Sequence, residues 1–234
     1  MEHKRLTLFA GHYGSGKTNI AVNYAIMLAK EGKDVCIGDL DIVNPYFRTA
    51  DSKKELESAG VTLISPQFAN SNVDLPALPA EAYRLVEDKN IYGIMDIGGD
   101  DRGAYALGRY VPSIKAENNY RMVFVANCYR PLTRTPEEAL EVMGEIETAC
   151  GLKFTDIINN SNLGPETTAE TVLSSLPYME KLSQLSSLPI FAHTVEKTVA
   201  EELKGQLEPI IPLRLQEKYF DLPSQKPGNR PLWG

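Results

Sequence analysis

GHYGSGKT, residues 11–18, satisfies the pattern G-x-x-x-x-G-K-[ST], with Gly11, Gly16, Lys17 and Thr18 in the fixed positions. The apolar run LTLFA (6–10) stands before it and NIAVNYAIMLAK (19–30) after it, so the loop joins a buried strand to a helix. The flanks matter because the chemistry needs them. Glycines let the backbone turn until successive N–H groups face one point, and the following helix N-terminus adds partial positive charge there. The stretch therefore predicts a nucleoside triphosphate site formed by Gly11, His12, Tyr13, Gly14, Ser15, Gly16, Lys17, Thr18 and Asn19. Lys17 neutralises the terminal phosphates in this reading, and the Thr18 hydroxyl ligates Mg2+. A glycine-rich turn with an incidental Lys-Thr pair is the bland alternative, and the agreement of motif with flanks weighs against it.

Outward from the loop, short apolar runs alternate with helical stretches. Strands are expected at 34–40, 61–65, 91–96, 121–127, 154–159 and 189–193, and helices at 76–89, 135–150, 167–185 and 198–207. Gly32 is placed to end the first helix, and Pro177 to kink or split the helix at 167–185. Near-continuous apolar strands separated by helices imply an α/β fold with a mainly parallel β-sheet covered by helices on both faces. One nucleotide-binding domain is expected over 1–208. The tail 209–234 carries Pro209, Pro212, Pro223, Pro227 and Pro231 and reads as an extended arm rather than an amphipathic helix.

Composition narrows the function classes. A net charge of -7 and a pI near 5.1 argue against a nonspecific nucleic-acid surface, which needs clustered Lys and Arg. No run of 18 apolar residues occurs and MEHKRLTLFAG leads straight into the first strand, so a cytoplasmic protein without membrane attachment is expected. Cys36, Cys128 and Cys150 show no C-x-x-C spacing, which fits reduced, buried thiols rather than a zinc site.

Ligands of parallel sheets bind beyond the carboxyl ends of the strands, so the residues just after each strand carry the chemistry. After the second strand come Asp39 and Asp41, followed by an Asn44-Pro45 turn. The fourth ends in DIGGDD, with Asp96 at the tip and Gly99 three residues on. Hard divalent ions take oxygen ligands, so Thr18, Asp39, Asp41 and Asp96 are the Mg2+ candidates, and the Gly99 amide is a candidate for the γ-phosphate. Asp41 is also the candidate to orient an attacking water, beside Lys17 as the second catalytic residue. Asp100 and Asp101 read more simply as caps of a helix starting near Arg102.

With GHYGSGKT, the D-x-D of Asp39 and Asp41, the D-x-x-G of Asp96 to Gly99 and IINNSN (157–162), the chain over about 4–205 resembles the P-loop NTPases of the MinD/ParA/nitrogenase iron-protein class, which includes CobQ/CobB and dethiobiotin synthetase types. The resemblance implies a P-loop NTPase fold, switch I at Asp41 and switch II at Asp96 with Gly99. It implies a homodimer, as in the family's nucleotide-sandwich arrangement. One position departs from the family. MinD and ParA relatives carry a signature lysine after the first loop glycine, and this chain has His12. Histidine is shorter and titrates near neutrality, so His12 is either a phosphate hydrogen-bonding group or a plain loop residue.

Guanine-specific P-loop proteins use N-K-x-D, and neither Asn159 nor Asn160 starts such a motif. Adenine offers a donor and an acceptor that one amide can match, so ATP is expected, with Asn160 as the adenine contact by resemblance to the iron protein. Further base or ribose contacts are expected around His193 and Thr194. The leading functional expectation is a Mg2+-dependent switch ATPase acting on an unidentified protein partner. One alternative is an ATP-dependent synthetase or kinase holding a small anionic metabolite through Arg48, Arg102 or Arg109. Another is a nucleotide-dependent regulator that does not hydrolyse. Switch-II cysteines and basic late helices are missing, which disfavours iron–sulfur and DNA-partition roles.

Overall fold

The computed structural model describes residues 2–40, 52–64, 80–98 and 101–215. Eight strands form one sheet: β1 Leu6–Ala10, β2 Val35–Leu40, β3 Thr62–Ile64, β4 Tyr92–Ile97, β5 Tyr120–Ala126, β6 Asp156–Asn159, β7 Ile190–Glu196 and β8 Ile210–Leu213. Their order is β3-β2-β4-β1-β5-β6-β7-β8, and every recorded pairing is parallel. The chain runs from β1 out to β3, returns to β4 beside β1, and then builds the other half outward from β5. This reversal brings the carboxyl ends of β4, β1 and β5 together, where a parallel sheet opens a ligand crevice.

The helices are α1 Lys17–Lys30, α2 Lys53–Ser58, α3 Arg84–Glu87, α4 Asp101–Gly108, α5 Val111–Glu117, α6 Pro136–Cys150, α7 Ala169–Ser174, α8 Leu176–Ser186 and α9 Lys197–Glu202. Strand side chains alternate between two cores. Leu6, Leu8, Met122 and Phe124 pack with Leu107, Met143 and Leu182 from α4, α6 and α8, while Phe9, Ile37, Ile94 and Val123 pack with Ile20, Tyr24 and Leu28 of α1. Both faces are therefore dry, which is why the strands read as unbroken apolar runs. The ring of Tyr24 stands edge-on to Phe9 and Phe191, at 5.5 and 6.0 Å between centroids. Edge-to-face packing of this kind adds to the area term.

Local chemistry explains most boundaries. Thr135 and Glu138 form a reciprocal capping box before α6, Pro136 enters its first turn, and Gly151 at φ 74 ends it. The stretch expected as one helix over 167–185 is two, α7 and α8, meeting at Ser175, with Pro177 in the first turn of α8 where no N–H is needed. Of the stretch expected as a helix over 76–89, the described residues 80–89 hold a 3-10 turn (Ala80–Tyr83) and the single turn α3, which ends where Asp88 leaves the helix and its Oδ1 accepts from Asn90 N at 3.0 Å. The tail read as an arm from 209 onward begins instead with β8, parallel to β7. Pro212 is tolerated there because β8 is an edge strand, which leaves one side of its backbone unpaired.

At the amino edge, Arg5 is buried and its guanidinium grips Glu117 through both ends, with Nη2 donating to Oε2 at 2.6 Å and Nη1 to the Leu85 carbonyl at 2.9 Å. Lys89 Nζ adds a bond to the same Oε2 at 2.6 Å. Although burial works against its charged form, these cations hold the Glu117 carboxyl below its ordinary range. A cavity of about 800 Å3 beside Arg5, Lys89 and Glu117 lies at this edge, opposite the loop that follows β1.

Among the described residues no helix is long and apolar enough to cross a membrane. Cys36 and Cys150 are buried and Cys128 half-buried, all free, and burial pushes the Cys36 thiol up to about 11.

Candidate nucleotide site

The loop 11–16 springs from β1, all of whose residues are buried, and its backbone is pressed against β5: a Cβ on Gly11 would lie 2.8 Å from the Val125 carbonyl oxygen. Ser15 N donates to His12 O at 3.1 Å and closes a turn. Gly16 then caps α1 at φ 92, a left-handed conformation that a side chain resists, and a Cβ there would run into the Asn160 amide. No side chain caps α1, and its first turn carries no acidic residue. The helix N–H groups and dipole are thus left to an external anion.

Lys17 is 6% exposed and folds back over the loop, its Nζ donating to His12 O at 3.3 Å. Ser15 Oγ is buried and has no hydrogen-bond partner among the described residues. An uncapped N-terminus, a lysine over the loop and an orphaned hydroxyl fit a polyphosphate. Thr18 and Asn19 are half-buried in the first turn of α1. Asn19, expected at the nucleotide, gives both its carbonyl and its side-chain oxygen to Asn23 Nδ2, at 2.8 and 3.3 Å.

Asp39 and Asp96 are buried, at 3% and 1% exposure, and the register of β2 and β4 pairs them directly across the strands. Among the described residues no group of three or more His, Cys, Asp or Glu forms a metal cluster. Mg2+ commonly takes one or two carboxylates and completes its shell with water and substrate phosphates. Of the four oxygen donors expected for it, Thr18, Asp39 and Asp96 lie among the described residues. Asp41 and Gly99 lie outside the described residues, as do Asn44, Pro45, Arg48 and Asp100. Arg109 follows α4 and is exposed.

His12 turns its ring back onto its own loop, with Nδ1 donating to Tyr13 O at 2.9 Å, and Tyr13 is 53% exposed.

In the structure the Asn160 side chain is engaged within the protein. Its side chain is 4% exposed, Nδ2 donates to Ser15 O at 2.6 Å, and Oδ1 accepts from Thr194 Oγ1 at 2.8 Å. The amide clamps the phosphate loop to β6 and β7. Asn159 is likewise committed, donating to Ser175 Oγ at 2.8 Å and to His193 Nδ1 at 3.2 Å while accepting from Ser161 N at 3.0 Å. Taking that bond makes His193 Nδ1 an acceptor, and burial pushes the ring's pKa down, so the imidazole is neutral. His193, expected as the last residue of its strand, and Thr194, expected in the loop after it, both belong to β7, which runs on to Glu196.

Beyond that strand end is a cavity of about 710 Å3 lined by Pro165, Thr167, Glu196, Lys197, Thr198 and Arg214, among others. It lies where β7 ends and α9 begins. The Ser15–Asn160–Thr194 hydrogen bonds lead to it from one side. On the other, Asn23 of α1 pairs with the Arg214 backbone in both directions, at 2.9 and 2.8 Å. Glu196 Oε2 accepts from both the amide and the hydroxyl of Thr198, and the hydroxyl bond is the main reason its carboxyl stays below the ordinary range. Sequence inspection missed Glu196, Thr198 and Arg214. The rule that selected Asp39 and Asp96 would have selected Glu196 and Thr198 had β7 been given its full length.

No protein-family model and no curated protein sequence matches the chain. Solved structures do match it. FtsY of Thermotoga maritima, a cell division protein, is 17% identical with a TM-score of 0.56, over 83% of this chain and 62% of its own. FtsY of Mycoplasma mycoides, in crystal form H32, is 17% identical with a TM-score of 0.51, over 80% of this chain and 58% of its own. The chain thus spans about three-fifths of the length of these structures. They are FtsY proteins rather than MinD, ParA or iron-protein relatives, so the narrower resemblance gains nothing from them. At this identity the likeness concerns architecture, and the chain has the α/β fold of the P-loop NTPases, a parallel sheet with helices on both faces.

Proposed function

We propose that this chain is a Mg2+-dependent ATPase of switch type, binding ATP in the loop 11–19 and coupling the bound state to a homodimer or a protein partner, in the manner of MinD and ParA. The observation that carries the nucleotide reading is the loop itself: an uncapped helix N-terminus, left-handed Gly16 and Lys17 folded over the cradle. In the hydrolysis a water oxygen bonds to the γ-phosphorus, the bond to the β–γ bridging oxygen breaks, and ADP, inorganic phosphate and a proton leave. Lys17 holds the terminal phosphates and Asp41 orients the water. Thr18 with Asp39 and Asp96 would hold Mg2+, which would supply positive charge against the phosphate oxygens.

Two features support adenine. No N-K-x-D is present, and Glu196 already spends Oε2 on two bonds from Thr198. A carboxylate recognises guanine through two parallel bonds from N1 and N2, for which both oxygens are wanted. The Oε1 that remains suits a single donor such as adenine N6.

The test is calorimetric binding of ATP and GTP with Mg2+, together with phosphate release, for the native protein and for Lys17→Ala and Asp41→Ala. Lys17→Ala should lose binding, and Asp41→Ala should keep binding but lose slow turnover. A native protein that binds neither nucleotide refutes the proposal; turnover that appears only with an added metabolite replaces the switch by a kinase or synthetase. Light scattering with ADP and with a nonhydrolysable ATP analogue tests the homodimer.

A further inference from the structure

Arg130 stands outside the loop motif, yet the sheet brings it there. β5 pairs with β1 up to Ala10↔Phe124, so the turn after β5 lies beside the origin of the phosphate loop. That turn is rigid. Thr133 Oγ1 donates to Asn127 O at 2.8 Å, Tyr129 N to Asn127 Oδ1 at 3.0 Å, Arg130 N to Asn127 O at 3.2 Å, and the Tyr129 hydroxyl reaches Thr171 O at 2.9 Å.

The side chain of Arg130, in contrast, is exposed and makes no hydrogen bond or ion pair among the described residues. Its guanidinium lies against the loop: Cζ and Nε are both 3.8 Å from the place a Cβ on Gly14 would occupy. Gly14 is not a fixed position of the motif, but at φ 74 and under this guanidinium it offers backbone without a side chain.

We propose that Arg130 binds the terminal phosphate of the triphosphate seated in the loop 11–18, in cis, and so supplies the second fixed positive charge that His12 does not. This rests on the nucleotide reading above. The loop backbone cradles the β- and γ-phosphates, so a guanidinium against its middle glycine is beside them. An unpaired guanidinium has no ion pair within the protein to give up on binding, and its planar fork matches phosphate oxygens as an ammonium does not. No second copy of the chain is needed for this contact, in contrast to the lysine of the MinD and ParA dimers.

The experiment is calorimetric titration of the native protein, Arg130→Ala and Arg130→Lys with AMP-PNP and with ADP, each with Mg2+, alongside thermal melts. Arg130→Ala should weaken AMP-PNP about 10- to 100-fold, the range for a hydrogen bond to a charged group, and leave ADP affinity and the melt unchanged. Arg130→Lys should fall between, because charge is kept and the fork is lost. Native-like binding of both ligands by Arg130→Ala overturns the proposal and leaves a surface arginine; equal weakening of both with a lowered melt overturns it in favour of a structural role. Failure of the native protein to bind AMP-PNP sinks the nucleotide reading and this proposal together, whereas native binding with an indifferent Arg130→Ala sinks this one alone.

Discussion

Replacing Asn160 by alanine separates two jobs that its position allows, clamping the phosphate loop and reading adenine. In the structure Nδ2 donates to the Ser15 carbonyl at 2.6 Å in a side chain only 4% exposed, so truncation removes the donor from a buried acceptor. Thr194 is less affected, because its hydroxyl also reaches Asn159 O at 3.0 Å. The expected loss is therefore close to that of one orphaned buried group, about 1–3 kcal/mol. For a domain of this size that lowers the melting temperature by about 2 to 12 °C, at roughly 2–4 °C per kcal/mol. A loosened loop weakens every nucleotide, so ATP and GTP affinities should fall by the same factor in parallel calorimetric titrations. An Asn160→Ala variant that melts like the native protein and loses ATP affinity alone would refute the clamp and restore the base contact.

Two further perturbations follow from the same geometry. Gly16→Ala places a Cβ at φ 92 against the Asn160 amide, and should cost about 1–2 kcal/mol from the left-handed backbone in addition to the clash. Adding Asn160→Ala relieves only the clash, so urea unfolding of the double variant should show less than the sum of the single losses; strict additivity would mean that the two groups do not meet. His193 is neutral when folded because burial depresses its pKa below 6.5, while the unfolded chain takes up the proton near that value. The unfolded state then binds more protons in the interval between the depressed value and 6.5, so the contribution is complete above that interval and is lost as pH falls through it. Unfolding free energies from pH 7.5 down to about 5 should show this slope in the native protein and not in His193→Gln, and matching slopes would rule His193 out as its source.

Much of the architecture was legible because the interior is simple. β1, β2, β5 and β6 are buried on both faces, so each appears in the sequence as an apolar run, and the caps at Thr135 and Gly151 announce α6 at both ends. What escaped was decided by tertiary partners. β8 contains a proline and is held by β7 and by the Asn23 amide, a partner 191 positions away from Arg214. β7 looked short because His193 and Thr194 are polar. They are nonetheless buried, at 5% and 3% exposure, since Asn159 and Asn160 satisfy them from β6.

The same exchange of partners decides what the site can do. Asn160 follows a strand, where ligands bind, and in the structure its amide is held by the Ser15 carbonyl and the Thr194 hydroxyl. One short chain of bonds, Ser15 to Asn160 to Thr194, joins the phosphate loop to the strand whose end carries Glu196 and Thr198. Buried polar groups are costly to leave unpaired, so movement of Ser15 must either break this chain or carry Asn160 with it. The loop is thereby tied to β7 by side chains whose hydrogen bonds lie within the protein. On the nucleotide reading proposed above, the exposed side chains beside the phosphates are those of Arg130 and Tyr13. Discrimination between tri- and diphosphate is then expected from those side chains, with the cradle itself the same for both.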